Sequence, residues 1–435
     1  MLFESGVAAY FESLNASLNA LSTTERKTET AKRLNFYYDD QLTQLTTQLE
    51  ALFADPSNMI KVELNIVKKI IKSLAQTYRD RPIRNIEGAG KDKEIYKKIT
   101  EDCALDVKMK QVSRLVKLCK TILVKVVFRQ GKIDLDILTG NILDVVTGDS
   151  PQELKEVLVT DYGDSGRLEE VEYSYWTPES FQRLDYQGRA IKDAKNPYHV
   201  LPFITIFDYA PTGSDFWLQG GADLISLQEA VNIKLTDLIY LIQQQSFGVG
   251  YIKGGSPGGG SVKVDPGTLV ELRENGEIGF VSQEAKINDV VNAIDKIVKW
   301  AAVSNGLSAD AMMTEPREES GVAKLVGNRE LDELRSDDVA LFRVYERQLF
   351  DLVRIVNNVH SRDKLSKDAA MLIDFADIES SVDPETQSKA WDLQLNQGVI
   401  SQVDIALKLN KDLRTREDAL AYLMKVKEET RALIE

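Results

Sequence analysis

Two helical stretches bracket a glycine-rich insert in the middle of the chain, and this arrangement constrains the fold more than any other feature. Residues 223–246 and 288–304 have the apolar periodicity of amphipathic helices. Residues 247–287 between them are interrupted by glycines and have the composition of short strands. Because no compact core separates the two helices, they should lie side by side and carry the insert at their far end. The sequence therefore predicts a stalk with a small β tip.

The first helix of the stalk carries a wide apolar stripe. Apolar residues recur along it at three- and four-residue spacing, and others widen the stripe. A stripe this wide is typical of a helix that is covered on more than one side. We therefore expect neighbouring subunits to flank the stalk. The candidate subunit-interface residues are Leu227, Val231, Leu235 and Leu238.

A loop over residues 305–320 and a long helix over 321–359 follow the stalk. That helix would be about 57 Å long by the rise per residue of an α-helix, so it should bend or span between parts of the molecule. The loop mixes flexible apolar side chains with both signs of charge. Acidic residues near the start of a helix also suit its dipole, which is the structural alternative to a binding role. The loop residues of interest are Asp310, Met312, Met313, Glu315, Arg317 and Glu318.

Residues 1–120 are predicted to be almost wholly helical. Breaks are expected near residues 22–24, 55–58 and 82–90, where turn-forming residues gather. Apolar spacing predicts two long helices in this part, one over 61–78 and one over 95–119.

Residues 121–208 are predicted to be an antiparallel β region. The period changes to two, β-branched and aromatic residues accumulate, and glycines mark the turns. The last strand, over 201–207, is apolar enough to be fully buried. The other candidate strands cover 121–128, 134–138, 142–147, 153–160, 169–176 and 181–185.

The C-terminal part is predicted to be a small bundle of three short helices beyond residue 383. Asp383 precedes a proline, and Ser401 with Asp404 and Thr415 with Asp418 have the spacing of capping boxes.

Length and charge limit the classes of protein to consider. A chain of 435 residues should form about two to four domains or one elongated body. The net charge of −14 argues against a protein that binds phosphates through a generally basic surface. Residues 1–10 lack a basic n-region and no apolar run reaches the length of a membrane span, so we expect synthesis in the cytoplasm and no membrane anchor.

The sequence contains few candidate catalytic residues. The run Gly254-Gly255-Ser256-Pro257-Gly258 matches the hydrolase elbow formally, but the residue after the serine is a proline and has no N–H for an oxyanion hole. His199 and His360 are the only histidines, and a structural or exposed position is expected for both. Cys103 and Cys119, predicted on one helix, are expected to be buried thiols. We expect no enzymatic activity, no metal and no cofactor.

Five short segments, in their order along the chain, resemble the portal proteins of tailed double-stranded DNA bacteriophages. The resemblance covers nearly the full length. Each segment by itself is only weakly specific for this family, whereas their order along the chain is specific. The segments are Arg33-Leu34-Asn35-Phe36-Tyr37-Tyr38-Asp39, Leu64-Asn65-Ile66-Val67-Lys68 with Arg81-Pro82, Asn196-Pro197-Tyr198-His199-Val200-Leu201-Pro202, Leu227-Gln228-Glu229-Ala230-Val231-Asn232 and Glu319-Ser320-Gly321-Val322-Ala323.

The resemblance implies an α+β, mostly helical and elongated subunit. Its parts would be a β-rich wing, a two-helix stem, a small β clip and a helical C-terminal crown. The implied boundaries are 1–219 for the wing (helical over 1–120, β-rich over 121–208), 220–246 for the stem helix, 247–287 for the clip, 288–304 for the return helix, 305–320 for the tunnel loop, 321–362 for the long helix that spans wing and crown, and 363–435 for the crown.

The resemblance also implies a function and partners. About twelve copies would form a closed ring at a capsid vertex of the virion. Double-stranded DNA would pass through the ring non-specifically during packaging and ejection. The implied protein partners are a terminase motor that supplies the energy, a head–tail adaptor protein, and capsid and scaffold proteins, with no role for a membrane.

A channel for moving DNA should bind phosphates only weakly, because each neutralised phosphate adds affinity through counterion release. We therefore expect sparse positive groups near the channel, although a surface ion pair is an equal alternative for each. The candidates are Lys296, Lys299, Arg317 and Lys324. In the clip, acids outnumber bases and predict an acidic outlet where other rings dock, at Asp265, Glu271, Glu274, Glu277 and Glu284.

The sequence leaves two other hypotheses about the function. A helical scaffold or adaptor protein could assemble through the stalk without conducting DNA. A hydrolase or nucleotidyl-transfer enzyme is the second, and it lacks a recognisable site.

Overall fold

The computed structural model describes residues 21–88, 90–164, 167–247, 249–253, 277–281, 287–312, 321–375, 384–410, 413 and 415–434. The chain has a mixed α+β fold. It divides into two compact units. Unit 1 comprises residues 1–315 and 330–376, and unit 2 comprises residues 316–329 and 377–435.

Five helices form most of residues 21–120, the described part of the N-terminal region that was predicted to be helical. They are α1 (Leu21–Tyr37), α2 (Leu42–Leu52), α3 (Ile66–Leu74), α4 (Gly90–Asp102) and α5 (Leu105–Cys119). Residues 22–24, near which a break was predicted, lie in the first turn of α1, and the residues before Leu21 lie outside the described ones. The helix predicted over 61–78 is shorter than expected: it begins at Ile66, with the Asn65 side chain accepting from the N–H of Lys68 as its cap.

The helix predicted over 95–119 is interrupted. Ala104 takes a left-handed conformation with φ of 50° and separates α4 from α5. Cys103 lies in this turn and Cys119 ends α5, so the expectation of one shared helix is wrong. Both thiols are free and buried, and burial raises the pKa of Cys103 to about 11 and that of Cys119 to about 12.

Strand β1 (Ile83–Glu87) occupies a stretch where only a break was predicted. The β region then contributes eight further strands, which form two antiparallel sheets. These strands are β2 (Thr121–Arg129), β3 (Lys132–Thr139), β4 (Leu143–Thr147), β5 (Leu154–Asp161), β6 (Glu172–Trp176), β7 (Ser180–Leu184), β8 (Ala190–Lys195) and β9 (Phe203–Phe207).

The antiparallel prediction is confirmed, and each predicted strand is present. One sheet has the order β3-β2-β9 and the other the order β4-β5-β6-β7-β8. Strand β8 was missed because its sequence, Ala-Ile-Lys-Asp-Ala-Lys, is mostly exposed at the edge of its sheet and has little apolar alternation.

The three-stranded sheet is buried on both faces. Ile122 and Val124 of β2 and Ile206 of β9 face a large hydrophobic core that includes α3, α5 and the end of the chain's longest helix. Leu123 and Phe203 face a second core, which the five-stranded sheet covers with Val157. Burial on both faces explains why β9 is apolar at four of its five positions and buried at all five, as the sequence predicted.

The two predicted helices and the β insert between them are present. Helix α6 (Ala222–Phe247) leads into β10 (Val249–Lys253), which pairs antiparallel with β11 (Glu277–Val281), and α7 (Ile287–Ser304) follows. Helices α6 and α7 contact each other. We call this unit the helical hairpin.

A 3₁₀ turn (Ala309–Met312) packs against α7, and helix α8 (Gly321–His360) matches the predicted long helix. Strand β12 (Ala370–Asp374) was not predicted. It pairs antiparallel with β1, from Ile83 opposite Asp374 to Glu87 opposite Ala370.

Unit 2 contains the three predicted C-terminal helices, α9 (Pro384–Asn396), α10 (Gln402–Leu409) and α11 (Arg416–Ile434). The capping box of Ser401 and Asp404 is confirmed. Thr415 and Asp418 also bond reciprocally, each side chain accepting from the other's backbone N–H. Asp383 lies outside the described residues. Within the described ranges, no helix is both long and apolar enough to span a membrane.

Candidate functional site: the base of the helical hairpin and its outer face

A row of polar side chains runs along the base of α6. Gln228, Asn232 and Thr236 are spaced four residues apart and share one face of the helix. Each is at most 2 % exposed. Burying three uncharged polar groups in a row is costly unless each is hydrogen-bonded, so their partners define what the base of α6 does.

The partners are backbone groups of the segment 62–67, which leads into α3 and includes its first two residues. Gln228 Oε1 accepts from the N–H groups of Ile66 at 2.8 Å and Val67 at 3.2 Å. Asn232 Oδ1 accepts from Leu64 N at 3.1 Å, and Thr236 Oγ1 accepts from Val62 N at 3.0 Å. The side chains of α6 therefore take the place of a neighbouring strand. We call this set of bonds the base ladder.

The bonds follow a regular spacing. Every fourth residue of α6 meets every second residue of the segment, from Thr236 at Val62 through Asn232 at Leu64 to Gln228 at Ile66. The segment runs in the opposite direction to the helix. Gln228 also donates from Nε2 to the carbonyl of Leu64 and, at 2.9 Å, to Asn232 Oδ1.

The ladder continues into the turn between α1 and α2. Asn232 Nδ2 donates to Gln41 Oε1 at 2.7 Å, and Gln41 is 1 % exposed. Asn65 Nδ2 donates to the carbonyl of Phe36 at 2.8 Å and to Asp39 Oδ1. Lys68 Nζ lies 2.6 Å from the second oxygen of Asp39, and these bonds from Lys68 and Asn65 lower the pKa of that carboxyl.

Glu229 ties the same base to α1 and α2 at the surface. Its Oε1 lies 2.8 Å from Lys32 Nζ and accepts from Gln44 Nε2 at 3.3 Å. Three of the segments that carry the portal resemblance, namely 33–39, 64–68 and 227–232, thus meet in one bonded network.

Sequence reasoning missed this network. The available signal was polar Gln228, Asn232 and Thr236 at four-residue spacing inside an otherwise apolar helix. Their partners could not be identified from the sequence, because backbone groups carry no residue-specific pattern.

The interface candidates on α6 are partly covered by the chain itself. Val231 is fully buried and belongs to the large core, so its assignment to a subunit interface is wrong: a side chain with no exposed surface cannot contact another subunit. Leu227 and Leu235 are partly buried against the same core, and Leu238 is partly exposed. An interface role for these three stays a prediction.

The channel candidates on α7 lie at the surface. Lys296 is exposed, and Lys299 pairs with Asp295 at 2.9 Å, which is the ion-pair alternative for that residue. Met312 is 7 % exposed and joins the large core, contrary to its assignment as a DNA-facing residue, because the 3₁₀ turn folds back onto α7.

Only some of the other loop and clip candidates lie among the described residues. The backbone of Asp310 lies in the 3₁₀ turn and that of Lys324 lies in α8, whereas Glu277 begins β11 opposite Lys253. The remaining candidates, and the elbow-like run 254–258, lie outside the described residues. They are Met313, Glu315, Arg317, Glu318, Asp265, Glu271, Glu274 and Glu284.

Buried ion pairs connect α8 to the rest of unit 1. Lys117 Nζ lies 2.7 Å from Asp338 and 2.8 Å from Asp208, which Lys120 also meets at 2.8 Å. Burial raises the pKa of Asp338 to about 6, although Lys117 opposes this shift. Burial alone would lower the pKa of Lys117, but the two carboxylates raise it above its ordinary value.

A second buried pair lies further along α8. Glu346 is 0 % exposed, and Arg84 of β1 contacts it through two nitrogens at 2.7 Å and 2.9 Å. Tyr78 donates to Glu346 at 2.7 Å. Arg84 also reaches Asp106 of α5, so one arginine connects three elements.

The two histidines have structural positions. His360 ends α8 with its ring stacked on Phe128 at 4.8 Å, and its Nε2 lies 2.9 Å from the hydroxyl of Tyr198. His199 has a positive φ of 56° in the turn before β9. Among the described side chains, no three His, Cys, Asp or Glu residues are grouped closely enough to hold a metal ion.

Comparison with known proteins gave likenesses only among solved structures. No family model and no curated protein matches the chain. The neck of a native gene transfer agent particle computed with C12 symmetry matches at TM-score 0.46 and 11 % identity, over 80 % of this chain and 90 % of that chain. The neck of the empty particle computed with C6 symmetry matches at TM-score 0.39 and 12 % identity, over 79 % of this chain and 88 % of that chain. The virion of the native particle matches at TM-score 0.39 and 12 % identity, over 84 % of this chain and 98 % of that chain.

Proposed function

We propose that this chain is a portal subunit. Copies of it would form a closed ring at a capsid vertex of a phage-like virion. The ring would conduct double-stranded DNA during packaging and ejection, and it would provide a docking platform for a terminase motor, a head–tail adaptor, and capsid and scaffold proteins. Its contribution would be geometric, with no chemical step of its own.

The observation that carries this proposal is the helical hairpin. Two helices, Ala222–Phe247 and Ile287–Ser304, contact each other and bracket the antiparallel pair of β10 and β11. A hairpin that presents a two-stranded tip is suited to assembly, because a pair of strands leaves an unpaired edge on each side. A stem with a clip has this organisation.

The base ladder supports the same function mechanically. A ring that transmits force must hold each stem at a fixed angle, and hydrogen bonds between Gln228, Asn232 and Thr236 and the segment 62–67 restrain both the rotation and the translation of α6.

The distribution of charge is compatible with DNA that moves. The chain has a net charge of −14, so duplex DNA would not be held by a generally basic surface. Lys299, Arg317 and Lys324 are the candidates for transient phosphate contacts. A few such contacts give weak and salt-sensitive affinity.

A non-conducting scaffold or adaptor is the competing function. It would use the same helical hairpin for assembly but needs no central hole. The two functions differ in the shape of the assembled particle, which electron microscopy shows directly: a channel needs a central hole and a scaffold does not.

Electron microscopy of the purified full-length chain, together with native mass spectrometry, tests the proposal. We expect closed rings of one copy number with a hole wide enough for a DNA duplex. Monomers, open filaments, or closed particles without such a hole would overturn the channel function. Solid particles of uniform size would favour the scaffold instead.

A further inference from the structure

Helix α7 presents an apolar surface that no described part of the chain covers. Trp300 is 61 % exposed and Val303 is 56 % exposed, and both lie on the side of α7 away from the buried Ala301 and Ala302. Lys296 lies one turn earlier and is exposed on the same side. We call Lys296, Trp300 and Val303 the α7 outer face.

An exposed tryptophan beside an exposed valine is typical of a protein interface. Tryptophan is rarely left with most of its ring in water, and it is enriched among the residues that dominate binding energy. A charged residue one turn away is typical of the rim of such a contact, where it favours one register over others.

A matching surface exists on α8 of the same chain. Asp337, Ala340 and Val344 are all exposed, and Val344 is 48 % exposed. Their spacing of three and four residues places them along one side of α8. An acid, a small residue and an apolar residue therefore follow one another over eight residues of α8. On α7, a base, a large aromatic residue and an apolar residue follow one another over the same length.

We propose that the α7 outer face of one copy packs on the Asp337–Val344 side of α8 in the next copy. Lys296 would face Asp337, the indole of Trp300 would fit over Ala340, and Val303 would contact Val344. The small side chain of Ala340 leaves the space that a tryptophan needs, as a large residue of one helix fits between residues of another.

The α8 surface that covers the α7 outer face must belong to another copy of the chain. All six residues are exposed within a single chain, so the two surfaces do not cover each other there. Two different surfaces that bind each other make a head-to-tail contact, and such a contact closes into a ring or continues as a filament. The inference thus rests on the proposed ring and identifies part of the contact that would build it.

Assembly of the full-length chain tests the contact. Trp300→Ser with Val303→Ser should raise the concentration for half-assembly at least tenfold, while the thermal midpoint of the dissociated chain stays near the wild-type value because both side chains are exposed. Val146→Ser with Ile191→Ser is the matched control, since these residues of β4 and β8 are 41 % and 56 % exposed. Assembly of the control should be unchanged.

A charge exchange identifies the partner surface. Lys296→Glu and Asp337→Lys should each weaken assembly, and the two together should restore most of it. Light scattering and native mass spectrometry measure both series. Rings that persist unchanged in the Trp300/Val303 variant, or a charge exchange without rescue, would overturn this contact and leave the portal function standing. Filaments that depend on Trp300 would support the contact and overturn the ring, and a monomeric wild-type chain would overturn both.

Discussion

The side-chain oxygen of Gln228 accepts a hydrogen bond from the backbone N–H of Ile66 at 2.8 Å, across 162 residues of sequence. This bond fixes the base of α6 to the start of α3. The same oxygen accepts from Val67, so one side chain satisfies two of the N–H groups at a helix N-terminus that have no partner within the helix.

Gln228→Leu should destabilise the base of the helical hairpin. The substitution keeps the size of the side chain but removes the acceptor of the Val67 N–H and one of the two acceptors of the Ile66 N–H, whose other acceptor is the carbonyl of Leu64. A buried N–H group without an acceptor costs about 1–3 kcal/mol. Hydrogen exchange followed by mass spectrometry should show faster exchange in the segment 62–67. Gln44→Leu is the control, because its amide is only half-buried and bonds to a side chain at the surface. Equal protection of the segment in both variants would contradict the role assigned to Gln228.

Val231→Asp should destabilise the subunit itself. Val231 is fully buried in the large core, so the variant buries a carboxylate without a partner. We expect a loss of about 4 kcal/mol or more in the free energy of unfolding, which puts this substitution among the severe ones. Urea titration measures it. Ser226→Asp, at an exposed position of the same helix, should change stability little. A stable Val231→Asp subunit that only fails to assemble would restore the interface assignment.

Asp338→Asn should remove part of the pH dependence of stability. The pKa of Asp338 is raised to about 6 in the folded chain, above its ordinary value near 4. The folded state therefore binds the proton more tightly than the unfolded state, and the resulting stability is present at pH 4 and is lost as the pH rises through 6. The difference is up to about 3 kcal/mol.

Urea unfolding at pH 5 and pH 7.5 checks this prediction. The wild-type chain should lose more stability than Asp338→Asn between the two values. Asp332→Asn, at an exposed position of α8, should behave as the wild type does. A pH dependence that is the same in wild type and Asp338→Asn would show that this carboxyl does not titrate in the range.

Arg84→Met should be severely destabilising, by about 3–5 kcal/mol, because it leaves Glu346 buried without its positive partner. The double variant Arg84→Met with Glu346→Leu should regain most of that loss, since replacing both charges by apolar groups removes the buried carboxylate as well. A double-mutant cycle by urea unfolding measures the coupling. Additive losses from the two single variants would argue against a direct pair.

The helices of the hairpin illustrate how much local pattern determines. The predicted range 223–246 corresponds to Ala222–Phe247, and 288–304 corresponds to Ile287–Ser304. Long amphipathic helices are predictable because the need to bury one side repeats every three or four residues along the sequence itself. The strands of the two sheets were predictable for the same reason, with a period of two.

Elements without a repeating pattern were not predictable. Strand β8 is polar and lies at an edge, and β1 pairs with β12, which lies far from it in the sequence. Ala104 breaks a continuous apolar pattern through its left-handed conformation, for which alanine gives no signal. Strand pairing joins backbone groups, and these are the same in every residue.

The sequence by itself determined most of the helices, seven of the strands in the β region, and the presence of two helices that bracket a β insert. Only the tertiary structure decided which side of each helix is covered. It placed Val231 and Met312 in the core and left Trp300 in solvent, although all three are apolar. It also paired Gln228, Asn232 and Thr236 with the segment 62–67. Periodicity reports that a side must be buried, whereas the identity of the covering surface depends on contacts between residues that are distant along the chain.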